Sequence, residues 1–278
     1  MTEPASPRHW TEIVYQENAK LLYDVEAAVF QNDDLTRREL AAVSQLAERL
    51  GTRIQSPVID IACGPGRHSI ALTQQGLDVT GLDFSPGLLK LAKESAAASG
   101  CNGEGPLFVS GDMRKLDYPD NSFQTVLMLG NSFGYFSDSD NEAALKEAIR
   151  VLASGGFLCI EITNKQEYLD TLEPYMEEIV EGRFNTRLKC EWRKSWDADT
   201  RRVTTWEKHC AADTGEVLYE GPYDVRLFEH QEVTGMLEEQ GLRSVSCLSF
   251  SPGRESLEKG LGETFGAMEE IVFIGGIK

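Results

Sequence analysis

Four short stretches of this 278-residue chain hold residues whose types and spacing could do chemistry. The first is Val58-Ile59-Asp60-Ile61-Ala62-Cys63-Gly64-Pro65-Gly66-Arg67-His68: an apolar run that reads as a buried strand, a glycine-rich turn and the opening of a helix. Gly64 and Gly66 let the backbone turn tightly and let a ligand approach closely, with N–H groups gathered at a helix start. The second is Asp83, after another apolar run about 20 residues further on, where a carboxylate can accept both hydroxyls of an adenosine ribose. Asp60, inside the first strand end, either accepts from the turn's own N–H groups or holds a ligand ammonium through water; a buried carboxylate without partners is costly.

The third stretch is Gly111-Asp112-Met113. Asp112 could accept a hydrogen bond from an adenine amino group, and Met113 offers a backbone amide and a soft side chain to the ring; a plain strand-ending turn is the alternative. The fourth is Leu129-Gly130-Asn131-Ser132-Phe133-Gly134-Tyr135-Phe136. Aromatic residues such as Phe133 and Tyr135, crowded into a loop that ought to be polar, suggest a pocket wall, against the alternative of a hydrophobic plug. Tyr135 and His230, the latter closing the Arg226–His230 segment, are the candidate bases, with His68 behind them. No set of Asp, Glu and His has metal-ligand spacing, so a metal-independent site is expected.

The elements that must position these residues follow from apolar spacing. Strands are expected over 57–62, 77–82, 107–110, 123–129 and 157–163. Helices are expected over 36–50 with Thr36 as cap, 67–75, 86–98 with Ser85 as cap, and 141–152. Such alternation predicts a Rossmann-like α/β fold: a seven-stranded, mostly parallel sheet with helices on both faces and ligands at the strand carboxyl ends. Beyond residue 164 the pattern changes to a short helix over 164–178 and three strand-like stretches, 187–196, 201–210 and 216–228, an antiparallel insertion after the fifth strand. A helix over 230–240, a strand over 243–249 and an antiparallel final strand over 269–275 complete the sheet, Ser251–Gly266 being too short for a crossover with a long helix. The units expected are thus an N-terminal helical cap (1–50), a core (51–163), the insertion (164–229) and a C-terminal completion (230–278).

Composition narrows the partners. With 45 acidic against 27 basic residues the net charge is −18, the wrong sign for nucleic acid or an acidic membrane surface. The six cysteines include no C-x-x-C pair and read as free thiols of a reducing compartment. Residues 1–10 lack an apolar run, and no stretch reaches membrane-spanning length. A cytoplasmic protein acting on a small molecule, without nucleic acid or membrane partners, is the expectation. Exposed edge strands of the insertion also suggest a homodimer.

Taken in order over residues 55–163, these stretches resemble the class I S-adenosylmethionine-dependent methyltransferases. VIDIACGPGRHSIAL looks like the family's first motif, VTGLDFS its second, SGDMRKL its adenine-side motif, and FQTVLMLGNSFGYF and RVLASGGFLCIEI its fourth- and fifth-strand signatures. The resemblance implies that Cys63, Gly64 and Gly66 meet the methionine portion of S-adenosylmethionine and that Asp60 helps hold its amino group. It also implies that Asp83 binds the ribose with Phe84 against the adenine, that Asp112 and Met113 contact the adenine, and that Leu129 to Asn131 face the sulfonium. S-adenosylhomocysteine would be the product. Gln124 stands where the family usually has an acidic residue.

The chain further resembles the small-metabolite branch, including sugar N-methyltransferases, in which an insertion roofs the active site. That implies substrate contacts from Tyr23, or Tyr15 in another alignment, and from Tyr135, with Phe133 and Arg226 close by. The acceptor atom, N, O or C, is left open. Two alternatives share much of this site. One is an S-adenosylmethionine-binding protein of other chemistry, such as a cyclase. The other is an NAD-dependent oxidoreductase, disfavoured by Ser69 at the third glycine position.

Overall fold

The computed structural model describes residues 8–26, 32–101, 105–182, 184, 186–251 and 270–278. Val58–Ile61 (β1) is buried at every position, which suits the middle of a sheet covered on both faces. Val79–Asp83 (β2), Leu107–Ser110 (β3), Phe123–Met128 (β4) and Leu152–Thr163 (β5) join it in parallel, β2 and β4 flanking β1. The chain leaves this sheet to form an antiparallel meander of Tyr175–Glu181 (β6), Arg187–Asp197 (β7), Arg202–Ala211 (β8) and Val217–Arg226 (β9). It returns with Arg243–Phe250 (β10) and Ile271–Ile277 (β11). The main sheet is therefore ordered β10-β11-β5-β4-β1-β2-β3, with β11 antiparallel to both neighbours. This is the expected fold. Its strand order reverses between β1 and β4, so the loops leaving those two strands open a crevice at their carboxyl ends.

Helices α1 (Ala19–Val25), α2 (Asp33–Arg49), α3 (Arg67–Gln74), α4 (Pro86–Ala98), α5 (Asp138–Val151), α6 (Lys165–Asp170) and α7 (His230–Glu239) accompany the strands, with a π-helical turn at Glu12–Glu17. The apolar stripe of α2, Leu40, Val43, Leu46 and Ala47, packs with Val58, Phe157 and Phe273 against one face of the sheet. Ser85 caps α4 as expected.

Several boundaries differ from expectation. Helix α2 starts at Asp33, because the Asn32 side chain accepts the Leu35 N–H while two aspartates favour the positive end of the helix dipole; the Thr36 hydroxyl instead donates to the Asn32 carbonyl. Helix α5 starts at Asp138 under a Ser137 cap. The helix expected over 164–178 ends at Asp170, and Tyr175–Glu181 supplies a fourth roof strand. Its Met176, Glu178 and Val180 stand opposite Trp192, Cys190 and Leu188, but acidic residues on both faces mask that alternation. Apart from Ser251, the stretch Ser251–Gly266 lies outside the described residues. No helix among the described residues is long and apolar enough to cross a membrane.

Candidate functional site

Two adjoining cavities of about 360 and 410 Å³ occupy the carboxyl edge of the sheet and share Thr11, Ala62, Asp83, Phe84, Met113 and Phe136. The smaller is bounded by the Ser110–Arg114 segment. The larger runs from the β1 turn and the Leu129–Ser132 loop up to the inner face of the meander.

The β1 turn is bent by exceptions to ordinary backbone geometry at three alternate positions. Ala62 has φ 58°, Gly64 φ 54° and Gly66 φ 83°. The two glycines have different reasons to be glycine. Gly64 lines the larger cavity, with no atom within 4 Å of where a Cβ would stand. Gly66 does not reach the wall; a Cβ there would meet Phe108 Cζ at 2.6 Å and Ala92 Cβ at 3.1 Å. It lets α3 pack close to β3 and α4.

Asp83 closes β2 on the boundary between the cavities. Its carboxylate accepts the N–H of Gly64 at 2.9 Å and of Ser85 at 2.8 Å. Burial pushes its carboxyl up to about 6 despite those hydrogen bonds, so a ligand able to donate would find a strongly accepting group. Asp60 takes the hydroxyl proton of Ser69 at 2.6 Å and belongs to neither wall. It braces α3 against β1, and burial raises its carboxyl too.

Asp112, in the smaller cavity, is gripped by Arg114, whose Nη2 lies 2.7 Å from Oδ2. That guanidinium holds the Asp112 carboxyl below the usual range and stacks 4.4 Å from the centre of the Phe136 ring. A carboxylate has about four acceptor sites, so a ligand amino group can still be received.

In the larger cavity, Leu129, Gly130 and Asn131 line the wall as expected. Their loop is held by Glu161, which accepts the N–H groups of Gly130 at 3.0 Å and Asn131 at 3.2 Å. The Thr163 hydroxyl donates to Asn131 Oδ1 at 3.0 Å. Burial, with Glu39 adding its negative charge, pushes Glu161 up to about 7. Beneath it, Glu39 of α2 is ion-paired with Arg67 and lies 2.8 Å from His68 Nε2. Burial alone would raise the Glu39 carboxyl, yet Arg67 and His68 together hold it down at about 2.

Tyr15 and Tyr135 meet where floor and roof join. The Tyr15 hydroxyl donates to that of Tyr135 at 3.0 Å, and burial lifts both phenols well above their usual range. Neither is poised as a base.

Other expected residues lie elsewhere. Tyr23 is 1% exposed, its hydroxyl 3.4 Å from Ser95 Oγ on α4; it faces the core because α1 packs on α4. Phe133 stacks on Phe228 at 4.9 Å inside the main core. Arg226 points away from the cavity, tying the end of β9 to Glu232 at 2.9 Å and to Asp138 at 3.3 Å. His230 opens α7 and borders neither cavity.

Sequence reasoning missed Glu39, Arg67, Arg114, Glu161 and the chamber residues Glu26 and Tyr223, while Trp192, one of three tryptophans that could line a roof, does line the larger cavity. Two of these left a signal: Glu161 interrupts the apolar run Phe157–Ile162, and Glu39 sits beside the apolar stripe of α2.

Residues 58–156 match the family described as Methyltransferase domain. A demethylmenaquinone methyltransferase of Staphylococcus aureus (strain JH9) is 37% identical over 116 residues, 40% of this chain and 45% of that one, so the likeness spans less than half of that curated relative. Among solved structures, the sugar N-methyltransferase KedS8 from Streptoalloteichus sp. ATCC 53650 superposes with a TM-score of 0.64 at 18% identity, over 100% of this chain and 96% of that one. The amino pentose methyltransferase CalS10 from Micromonospora echinaspora, solved with S-adenosylmethionine bound, gives 0.58 at 18% identity over 87% and 92%. At such identities the structural likeness establishes the fold, roof included, and nothing finer.

Proposed function

We propose that this chain, whose residues 58–156 match the family described as Methyltransferase domain, is an S-adenosylmethionine-dependent methyltransferase that modifies an N, O or C atom of a small molecule. One observation carries the reading: a recess lined by Phe84, Asp112 and Met113 continues past a buried carboxylate, Asp83, into a roofed chamber. The names of the relatives, which act on amino sugars and a quinone precursor, agree with a small acceptor.

The residues present fit the cofactor. Ala62 and Gly64 hold left-handed backbone, and the position above Gly64 is open. Asp83 would take the ribose hydroxyls, Phe84 and Met113 the adenine faces, and Asp112 the adenine amino group. Gly64 and the Leu129–Asn131 loop would meet the methionine portion. When bound, S-adenosylmethionine supplies a methyl group already activated by its sulfonium. The work left to the protein is alignment and exclusion of water. Glu161 does the first by fixing the loop through two N–H bonds, and the meander does the second by covering the chamber.

Calorimetric titration with S-adenosylhomocysteine beside NAD tests this. Micromolar binding of the former with none of the latter is expected; the reverse, or no binding, would overturn the reading.

A further inference from the structure

The roofed chamber has a chemical bias of its own. Glu26, just past the end of α1, lines the larger cavity. Among the described residues no cation or hydrogen-bond donor serves it; the charge that reaches it is that of Glu207, another carboxylate. Burial and Glu207 push the Glu26 carboxyl up to about 8, the response of a carboxylate held in a poorly solvated cavity wall beside a second negative charge.

Glu207 lies on the inward face of β8 in register with Trp192 of β7, and it is 6% exposed. Beside it His209 is 3% exposed, and neither ring nitrogen has a hydrogen-bond partner among the described residues; its Nε2 stands 3.4 Å from Glu207 Oε2. The wall facing Glu26 is aromatic: Tyr15, Trp192 and Tyr223 line the same cavity. Aromatic faces attract cations; held at about 8, the Glu26 carboxyl keeps its proton at neutral pH in the free protein, and an ammonium arriving beside it would favour the ionised form. Lys194, which also lines the cavity, has its Nζ 5.6 Å from the Tyr168 ring.

We propose that Glu26, backed by Glu207 and walled by Tyr15, Trp192 and Tyr223, is the recognition subsite for a cationic amine group on the methyl acceptor. The word acceptor rests on the methyltransferase reading; the subsite itself rests on the chamber alone. A neutral hydroxyl brings no charge to favour the ionised form of Glu26, and an anion would add to the repulsion from Glu207.

The full chain saturated with S-adenosylhomocysteine is titrated at pH 7 with cyclohexylamine, cyclohexanol and cyclohexanecarboxylate, matched in shape and differing in charge. The amine is expected to bind about tenfold or more tighter than the alcohol. Glu26→Gln should erase that preference while S-adenosylhomocysteine affinity stays within about twofold, the sign of an intact fold. Glu207→Gln, one step behind the wall, should reduce the preference by about threefold. The proposal is overturned if the amine binds no better than the alcohol, if neither binds, if the carboxylate binds tightest, or if both substitutions leave the preference intact. Should S-adenosylhomocysteine itself fail to bind, the methyltransferase reading falls separately, and the same titrations on the free protein still decide the subsite.

Discussion

The floor and the roof of the cavity are built on opposite principles. On the floor every carboxylate is answered from close by: Asp83 by two backbone N–H groups, Glu161 by two more, Glu39 by Arg67 and His68. On the roof, Glu26, Glu178 Oε2 and both nitrogens of His209 lack hydrogen-bond partners among the described residues. Backbone donors are fixed by the fold and do not reorganise when a ligand arrives, so the floor is suited to one invariant ligand. A roof of side chains on a meander can be re-specified by substitution without disturbing the sheet. Under the proposed reading, the difference separates what would bind the methyl donor from what would select the acceptor.

The largest effect is expected on the floor. Asp83→Ala removes a charged acceptor for two ribose hydroxyls and frees the Gly64 and Ser85 N–H groups. Hydrogen bonds to charged groups contribute about 1.5–3 kcal/mol each, so S-adenosylhomocysteine affinity should fall at least about 100-fold. Tyr223→Phe on the roof should leave it within about twofold. Equal losses in calorimetry would abolish the division between the two regions. The same group sets a pH dependence. Its carboxyl in the free protein is raised to about 6, and the ribose hydroxyls donate to the ionised form. Affinity should therefore be full above that pH and decline as the pH drops through it, a decline absent in Asp83→Asn.

Next come the two glycines of the β1 turn. Gly66→Ala combines left-handed strain of about 1–2 kcal/mol with overpacking against Phe108 and Ala92 of about 1–3 kcal/mol. A fall in Tm of roughly 6–12 °C is expected. Gly64→Ala meets no neighbour, so only the strain remains and Tm should drop by roughly 2–5 °C. Its methyl group, however, enters the cavity, and cofactor affinity should suffer more than in Gly66→Ala. If Gly66→Ala proves the milder in thermal denaturation, the division of labour between the two glycines is wrong.

The same contrast governs how much the sequence discloses. The floor is local in the chain: glycines that demand positive φ, an acid at a strand end and a loop of small residues announce themselves within a few positions. That is why Gly64, Asp83, Met113 and Asn131 can be placed on the cavity from their spacing. The roof depends on which strand faces which, and that follows from register. Glu26 reaches the chamber only because α1 ends against β6 and β7, and β6 is masked by acidic residues on both of its faces. Tyr23 and Tyr15 look alike as letters, yet the packing of α1 on α4 buries one in the core while the other reaches the cavity. Arg226, with its charge and position, looked like a substrate ligand. The fold uses it to fasten β9 to the helices beside it.

At the seam between the regions, Tyr135→Phe deprives the Tyr15 hydroxyl of its acceptor in a buried place. An unsatisfied hydroxyl costs about 1–3 kcal/mol. Tm should fall by roughly 2–6 °C and cofactor affinity by a few fold, with no shift in the pH profile, because the phenol is held far above its usual range. A profile that moves with this substitution would restore Tyr135 as a proton-transfer group.

The smallest effect is expected at His230, and it is the sharpest test of where the roof ends. His230 is the first residue of α7, behind a Glu229–Glu232 capping box, and it touches neither cavity. The side chain has no cavity contact to lose, and alanine is the better helix former. His230→Ala should leave stability within about 0.5 kcal/mol of the parent, and S-adenosylhomocysteine and cyclohexylamine binding within about twofold. A tenfold loss of amine binding with cofactor binding intact would mean that α7 belongs to the roof. The acceptor chamber would then extend past β9, and its specificity would be shared between the meander and the helix that follows it.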